Sequence, residues 1–188
     1  MFRLETERLI LRPWLEADRD LFREINRDPV VMEYFATRRT REEADLLMDK
    51  VNAMIGESGF GFYAIELKET GEAMGFCGLS YAGIPPFLPQ ESIEIGWRLA
   101  TRFWGKGYVT EAGQECLRYG FEERGLPEIV SFAVTTNRRS RAVMERLGMQ
   151  HAGGVTFDHP RVPDTHPQLK EHVLYRLTAD QWRASKAT

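Results

Sequence analysis

Polar and apolar positions alternate in short blocks along the chain, and the period switches repeatedly between that of a strand and that of a helix. Leu9 to Arg12, closed by Pro13, reads as a short strand. Leu15 to Asn26 places Leu21, Phe22 and Ile25 on one helical face, with Pro29 beyond it. The clearest helix comes next. Thr40 and Glu43 make a capping-box pair, Ala44, Leu47, Met48, Val51, Met54 and Ile55 keep helical spacing, and Gly56 is expected to end it. Phe62 to Leu67 and Ala73 to Tyr81 read as two strands joined by the polar loop Lys68 to Glu72, whose Gly71 marks a hairpin. A proline-rich loop after Gly83 then leads into a strand from Ser92 to Leu99.

In the second half, Val109, Ala112, Gly113, Cys116, Leu117, Gly120 and Phe121 share a helical face that closes near Gly125 and Pro127. Several are small, so this helix is expected to lie close to a sheet. Glu128 to Thr135 is a nearly continuous apolar strand of the kind covered on both faces. Arg141 to Leu147 reads as a short helix stopped by Gly148. Strands near Met149 to Phe157 and His172 to Leu177 are joined by a long loop carrying Pro160, Pro163 and Pro167, and Thr178 and Gln181 are placed to cap a last helical turn. Antiparallel hairpins around one central βαβ unit predict a mixed α/β (α+β) fold with helices on both faces of the sheet. No repeat or linker interrupts the pattern, so residues 1–188 are expected to form a single domain.

Composition narrows the function classes. With 188 residues, 43% of them hydrophobic, and a net charge of -3, the chain is a folded protein rather than a disordered or fibrous one. Lys and Arg number 25 against 28 Asp and Glu, with a pI near 5.9, so no basic footprint for nucleic acid is present. The clusters Arg38 to Arg41 and Arg138 to Arg141 read as solvated faces. Cys77 and Cys116 lie in apolar surroundings and read as free thiols of a reducing compartment. The charged N-terminus has no signal-peptide pattern, and Pro85, Pro86 and Pro89 break the one long uncharged stretch, Ala73 to Gln90, so a cytoplasmic protein without a membrane segment is expected. His151, His159, His166 and His172 lack metal-ligand spacing, and no metal is expected.

The segment Ile93 to Glu111 carries the chemistry. A strand runs into a loop with Gly105 and Gly107, and the loop opens a helix. Unpaired N–H groups and the positive end of the helix dipole converge there on an anion, and glycine lets the backbone approach it. The spacing rules out a Walker A loop, and Thr110 stands where the dinucleotide fingerprint needs a small residue.

Arg102-Phe103-Trp104-Gly105-Lys106-Gly107 fits the pattern Arg/Gln-x-x-Gly-x-Gly/Ala and resembles the acetyl-CoA pyrophosphate loop of the GCN5-related N-acetyltransferases, the GNAT superfamily. Asn137, Ser140 and Leu147-Gly148-Met149 are similar to that family's Asn-x-x-Ser and Leu-Gly-Phe stretch. Glu5 to Arg12 and Trp104 to Gly107 look most like the ribosomal-protein N-terminal acetyltransferase (RimJ/RimL-like) branch. The resemblance spans Leu4 to about Trp182. It implies an αβα sandwich around a mixed, mostly antiparallel sheet of about seven strands, whose fourth and fifth strands run parallel and splay apart. It implies acetyl-CoA as co-substrate, a primary amine as acceptor, and a homodimer. Backbone groups of Trp97, Arg98 and Leu99 would pair with the pantetheine arm, and Arg102, Phe103, Trp104, Gly105, Lys106, Gly107 and Tyr108 would wrap the pyrophosphate, with Val109 and Thr110 at the helix start. Asn137 and Ser140 would face the pantetheine and thiol end.

Direct attack of an amine on a thioester needs a neutral amine, a stabilised oxyanion and a proton for the thiolate. Glu94, which shares a strand face with Gly96 and Arg98, is the candidate base acting through water, Glu91 the fallback, and Ser140 the candidate proton donor. Each has a plain structural alternative: a solvated strand glutamate, a helix-capping serine, and for Asn137 a turn residue. Many family members place a tyrosine acid where this chain has Met144. That departure keeps a second reading open, a fold that binds acyl-CoA without turnover as a sensor or partner-binding module. Phe35, Phe62, Tyr81 and Phe87 are candidate acceptor-pocket aromatics or ordinary packing.

Overall fold

A computed structural model describes residues 2–187. Eight strands pair, mostly antiparallel with a single parallel pair, and the chain packs as two compact units. The first comprises residues up to Ser80 together with Gly96–Cys116, and the second Tyr81–Ile95 together with Leu117 onward.

In the first unit, β1 (Leu4–Glu5) pairs with β2 (Leu9–Arg12), and β2 pairs with β3 (Gly61–Leu67). β3 forms a hairpin with β4 (Ala73–Tyr81), turning at Gly71 as its sequence requires. Two helices lie between β2 and β3: α1 (Arg19–Ile25), entered through a 3₁₀ turn at Glu16–Asp18, and α2 (Arg41–Ser58). The capping box of α2 forms as its spacing predicts, the Thr40 side chain accepting from the Glu43 N–H. The helix runs past Gly56 and ends instead at Gly59, which takes the left-handed conformation (φ 76°) that stops a helix. Gly56 is open helix surface with nothing near its missing side chain, so nothing forces a stop there.

Asn52 of α2 clamps Trp14 through both backbone groups, at 2.8 Å each, and Phe22 packs edge-on against the Trp14 ring. Arg12 shows how this unit satisfies a cation with little exposure: Asp18 and Glu66 both hold it at 2.6 Å. Later in the chain the unit gains most of α3 (Tyr108–Arg118), through Cys116. Cys77 and Cys116 are free buried thiols with Sγ atoms 4.0 Å apart, and burial pushes the Cys116 thiol well up.

The second unit centres on β6 (Glu128–Val134), which pairs antiparallel with β8 (Glu171–Thr178), and β8 in turn with β7 (Gln150–Asp158). β5 (Ile93–Leu99) meets β6 in parallel at one residue pair, Glu94 with Val130, and the Ser131 hydroxyl donates to the Ile95 carbonyl at 2.9 Å. Ala82, Ile84, Leu88, Val130, Phe157 and Leu174 form one buried apolar cluster, with Phe132 and Ala152 packed against it. α4 (Arg138–Arg146) starts three residues earlier than its hydrophobic spacing indicates, because Asn137 caps it. α5 (Ala179–Lys186) opens on the Thr178–Gln181 capping box. After α3 the helix widens into a π turn over Tyr119–Glu123.

The eighth strand, one more than the sequence implies, is the two-residue β1, too short to carry a period. Among the described residues no helix is long and apolar enough to cross a membrane.

Candidate active site

In the first unit, β5 ends at Leu99 and a 3₁₀ turn at Thr101–Phe103 delivers the chain to the glycine loop before α3. Gly105 (φ 76°) and Gly107 (φ 79°) both take left-handed backbone, the conformation that side-chain-bearing residues resist. Gly105, Lys106 and Gly107 are exposed, and their N–H groups donate to no backbone acceptor among the described residues. The first N–H groups of α3, from Tyr108 and Val109, have no partner within the helix by geometry, and Thr110 completes that turn. The loop is therefore a cluster of outward donors at the positive end of an eleven-residue helix.

Residues of the N-terminal segment fix its position. Glu111 accepts from the Thr6 hydroxyl at 2.5 Å, the Arg8 N–H at 2.9 Å and the Arg8 guanidinium at 2.6 Å. Arg8 also donates to the Lys106 carbonyl and lies 4.7 Å from the Tyr108 ring centroid. These bonds hold the Glu111 carboxyl below the usual range, against the opposing effect of its partial burial. No local pattern links Thr6 and Arg8 to Glu111, so the sequence around Thr6 signals a family resemblance without signalling this brace.

The other loop residues fall into two groups. Phe103 is buried and Trp104 donates its indole N–H to the Leu99 carbonyl, so both anchor the loop from below. Arg102 and Lys106 are exposed, and the Arg102 guanidinium pairs with Glu24 at 2.5 Å rather than turning into the glycine loop. Leu99 is buried and Trp97 half-buried. Arg98, on the face of β5 opposite Trp97, brings its guanidinium near both the Phe35 and the Phe76 rings. Phe62 stacks on Phe76, beside Gly96.

In the second unit, Glu94 is partly buried beside β6, and its carboxylate meets no hydrogen-bond donor among the described residues. Burial raises its pKa to about 7, with the Arg161 charge pulling the other way. Glu91 lies exposed in the turn before β5. Asn137 spends its side-chain oxygen on the Ser140 N–H at 3.2 Å, so Asn137 is the cap of α4 and Ser140 its third residue. The Ser140 hydroxyl is bonded to no described residue. Met144 is 1% exposed, core rather than chemistry. Phe87 leans on Phe157, and Tyr81 is exposed. His159 and His172 sit with Phe132 and Phe157 in one aromatic cluster; burial lowers both, His159 to about 4 with the His172 and Arg161 charges assisting.

A family model for the acetyltransferase (GNAT) domain matches residues 8–150. The FsC-acetyl coenzyme A-N(2)-transacetylase of Aspergillus fumigatus is 31% identical over 95% of this chain and 77% of its own length. The [ribosomal protein uS5]-alanine N-acetyltransferase of Escherichia coli is 25% identical over 96% of this chain and 92% of that protein. Among solved structures, a GNAT-family acetyltransferase from Bacillus anthracis superposes with a TM-score of 0.76 at 25% identity, covering 95% of this chain and 99% of that one. The chain belongs to the GNAT family of acetyltransferases. It is an acetyl-transferring enzyme whose relatives include proteins named for ribosomal-protein acetylation.

Proposed function

We propose that the chain, acting as one N-acetyltransferase domain, moves the acetyl group of acetyl-CoA to a primary amine by direct attack on the thioester. The observation that carries this reading is the Gly105–Gly107 loop, whose unpaired N–H groups open α3 and are braced by Glu111. Such a cluster fits a pyrophosphate. In this reading Gly105 to Val109 supply backbone donors, with Thr110 in the same turn, while Phe103 and Trp104 hold the loop in shape. Arg102 contributes positive potential while paired to Glu24. Backbone groups of Trp97, Arg98 and Leu99 receive the pantetheine arm, and one of their N–H groups polarises the thioester carbonyl.

Acetyl-CoA supplies the activated acyl group and a thiolate leaving group. Glu94, with a carboxyl near 7, takes the proton from the acceptor ammonium through water, close to the pH where a base combines availability with strength. The amine lone pair then forms the new C–N bond, and the C–S bond breaks with its electron pair leaving on sulfur. The Ser140 hydroxyl, unengaged by the protein, passes a proton to that thiolate and regains the one that the newly acylated nitrogen gives up, so the amide leaves neutral and the serine is restored. Asn137 holds Ser140 by capping α4. The acceptor is either a protein N-terminal α-amine, which the name of the uS5-alanine relative favours, or a small-molecule amine.

The test is acetyl-CoA-dependent thiol release against short peptides with varied N-termini, polyamines, aminoglycosides and free amino acids. Turnover with one class supports the reading. Acetyl-CoA binding without turnover across the panel moves the protein to the sensor class, and absence of acetyl-CoA binding overturns the assignment of the loop.

A further inference from the structure

Arg98 bears on the acceptor that the acetyltransferase reading leaves open, and its role here rests on that reading. Its side chain lies among aromatic rings, with the guanidinium carbon 4.3 Å from the Phe35 centroid and 5.4 Å from that of Phe76. Nη1 donates to Asn26 Oδ1 at 2.7 Å. Asn26 is itself fixed, because its amide donates to the Phe22 carbonyl at 2.7 Å and thereby aims the oxygen at Arg98. The Nε atom is fully buried and donates to nothing among the described residues, and Nη2 likewise has no partner there.

No carboxylate pairs with this cation among the described residues, in contrast to Arg12, which two carboxylates hold. The charge nearest to it in effect is Arg39, of the same sign; burial, with this charge assisting, pulls the Arg98 pKa down to about 10. Arg39 also lines an open groove of about 820 Å³ with Arg27, Arg38 and Arg41, a positive rim moderated by Glu24, Asp28 and Glu42. A buried guanidinium without an anion is costly even with the Asn26 bond and the nearby rings, and an anion arriving from outside would relieve that cost.

The geometry selects the partner's shape. With Nη1 occupied, the remaining edge is Nε–H beside Nη2–H, two parallel donors matched to the two oxygens of a carboxylate. That edge is covered in this structure, and Phe35, 4.3 Å from the guanidinium carbon and 49% exposed, is the ring whose displacement opens it to a ligand. The phosphates of acetyl-CoA are assigned to the glycine loop beyond the end of β5, which leaves this edge to the other substrate. We infer that the Arg98 side chain anchors the acceptor, and that the acceptor is a small amine bearing a carboxylate, held by a two-point ion pair through Nε and Nη2.

The experiment compares matched acceptors, α-amino acids and ω-amino carboxylates of graded length, each beside its carboxamide, with kcat/KM read from thiol release. Carboxylates are expected to exceed their amides by about tenfold or more, the discrimination carried by a charge-assisted pair. Arg98→Met is expected to bring the ratio near one, with the loss in KM, and Arg98→Lys, which keeps the charge and loses the fork, to lower it to a lesser extent. Equal use of carboxylates and carboxamides by the wild type overturns the inference, as does an unchanged ratio in a variant with a native melting profile. If neither variant folds, the wild-type ratio decides alone. If no amine turns over, calorimetric titration of the same carboxylates into CoA-saturated protein decides. Binding of carboxylates but not amides supports the anchor, and binding of neither refutes it. Loss of acetyl-CoA binding itself would instead refute the parent reading, so the two failures are distinguishable.

Discussion

Burial acts on Glu94 and His159 in opposite directions, raising the carboxyl to about 7 and lowering the imidazole to about 4, so both are held toward their neutral forms. For catalysis this places the working range of the proposed base near neutrality. The kcat/KM profile is expected to rise with pH through an apparent pKa near 7, and Glu94→Gln is expected to remove that limb and lower the rate by about a hundredfold. Stability carries the same signature. The folded state holds the Glu94 proton more tightly than the unfolded state, so this contribution is present below the ordinary carboxylate range and is lost as pH rises to about 7. Thermal melts of Glu94→Gln against wild type should show the variant gaining relative stability between about pH 5 and about pH 8. At Gly107, with φ of 79°, a side chain costs about 1–2 kcal/mol of backbone strain. Gly107→Ala should lower both the melting point and the affinity for acetyl-CoA, the second measured by calorimetry.

Among the elements, α3 is held from a distance, because Glu111 joins the start of the helix to Thr6 and Arg8. Glu111→Gln should raise the KM for acetyl-CoA about threefold to tenfold, with a smaller effect on kcat, since the loop loses its brace and keeps its donors. At α2, Thr40→Ala removes one half of the capping box and should cost about 1 kcal/mol in denaturant unfolding. That box is legible in the sequence, as is the turn at Gly71, because both depend on residues within a few positions of one another. The glycine loop is legible for the same reason. The end of α2 is not, because an exposed glycine inside a helix looks like a stop, and only its surroundings distinguish Gly56 from Gly59. The start of α4 is hidden because the apolar spacing begins later than the Asn137 cap. The Arg98–Asn26 bond and the Glu111 brace join residues far apart in sequence, which no local pattern encodes. The Arg102–Glu24 pair likewise turns toward α1 a residue that the loop motif alone assigns to the pyrophosphate.

For the molecule as a whole, a ligand that binds the native state alone stabilises it by mass action, by about 2.7 kcal/mol at one hundred times its dissociation constant. For a chain of this size acetyl-CoA at that excess should raise the melting temperature by roughly 5–10 °C. Acetyl transfer to an amine is tested most directly by tracking both products of one reaction: free thiol by colorimetry and acetylated amine by mass spectrometry, with acetyl-CoA and an amino-carboxylate acceptor. Equal amounts of thiol and acetylated amine, both dependent on the acceptor, are expected. Thiol release without acetylated amine, or no release from a protein that binds acetyl-CoA and every acceptor offered, would contradict it.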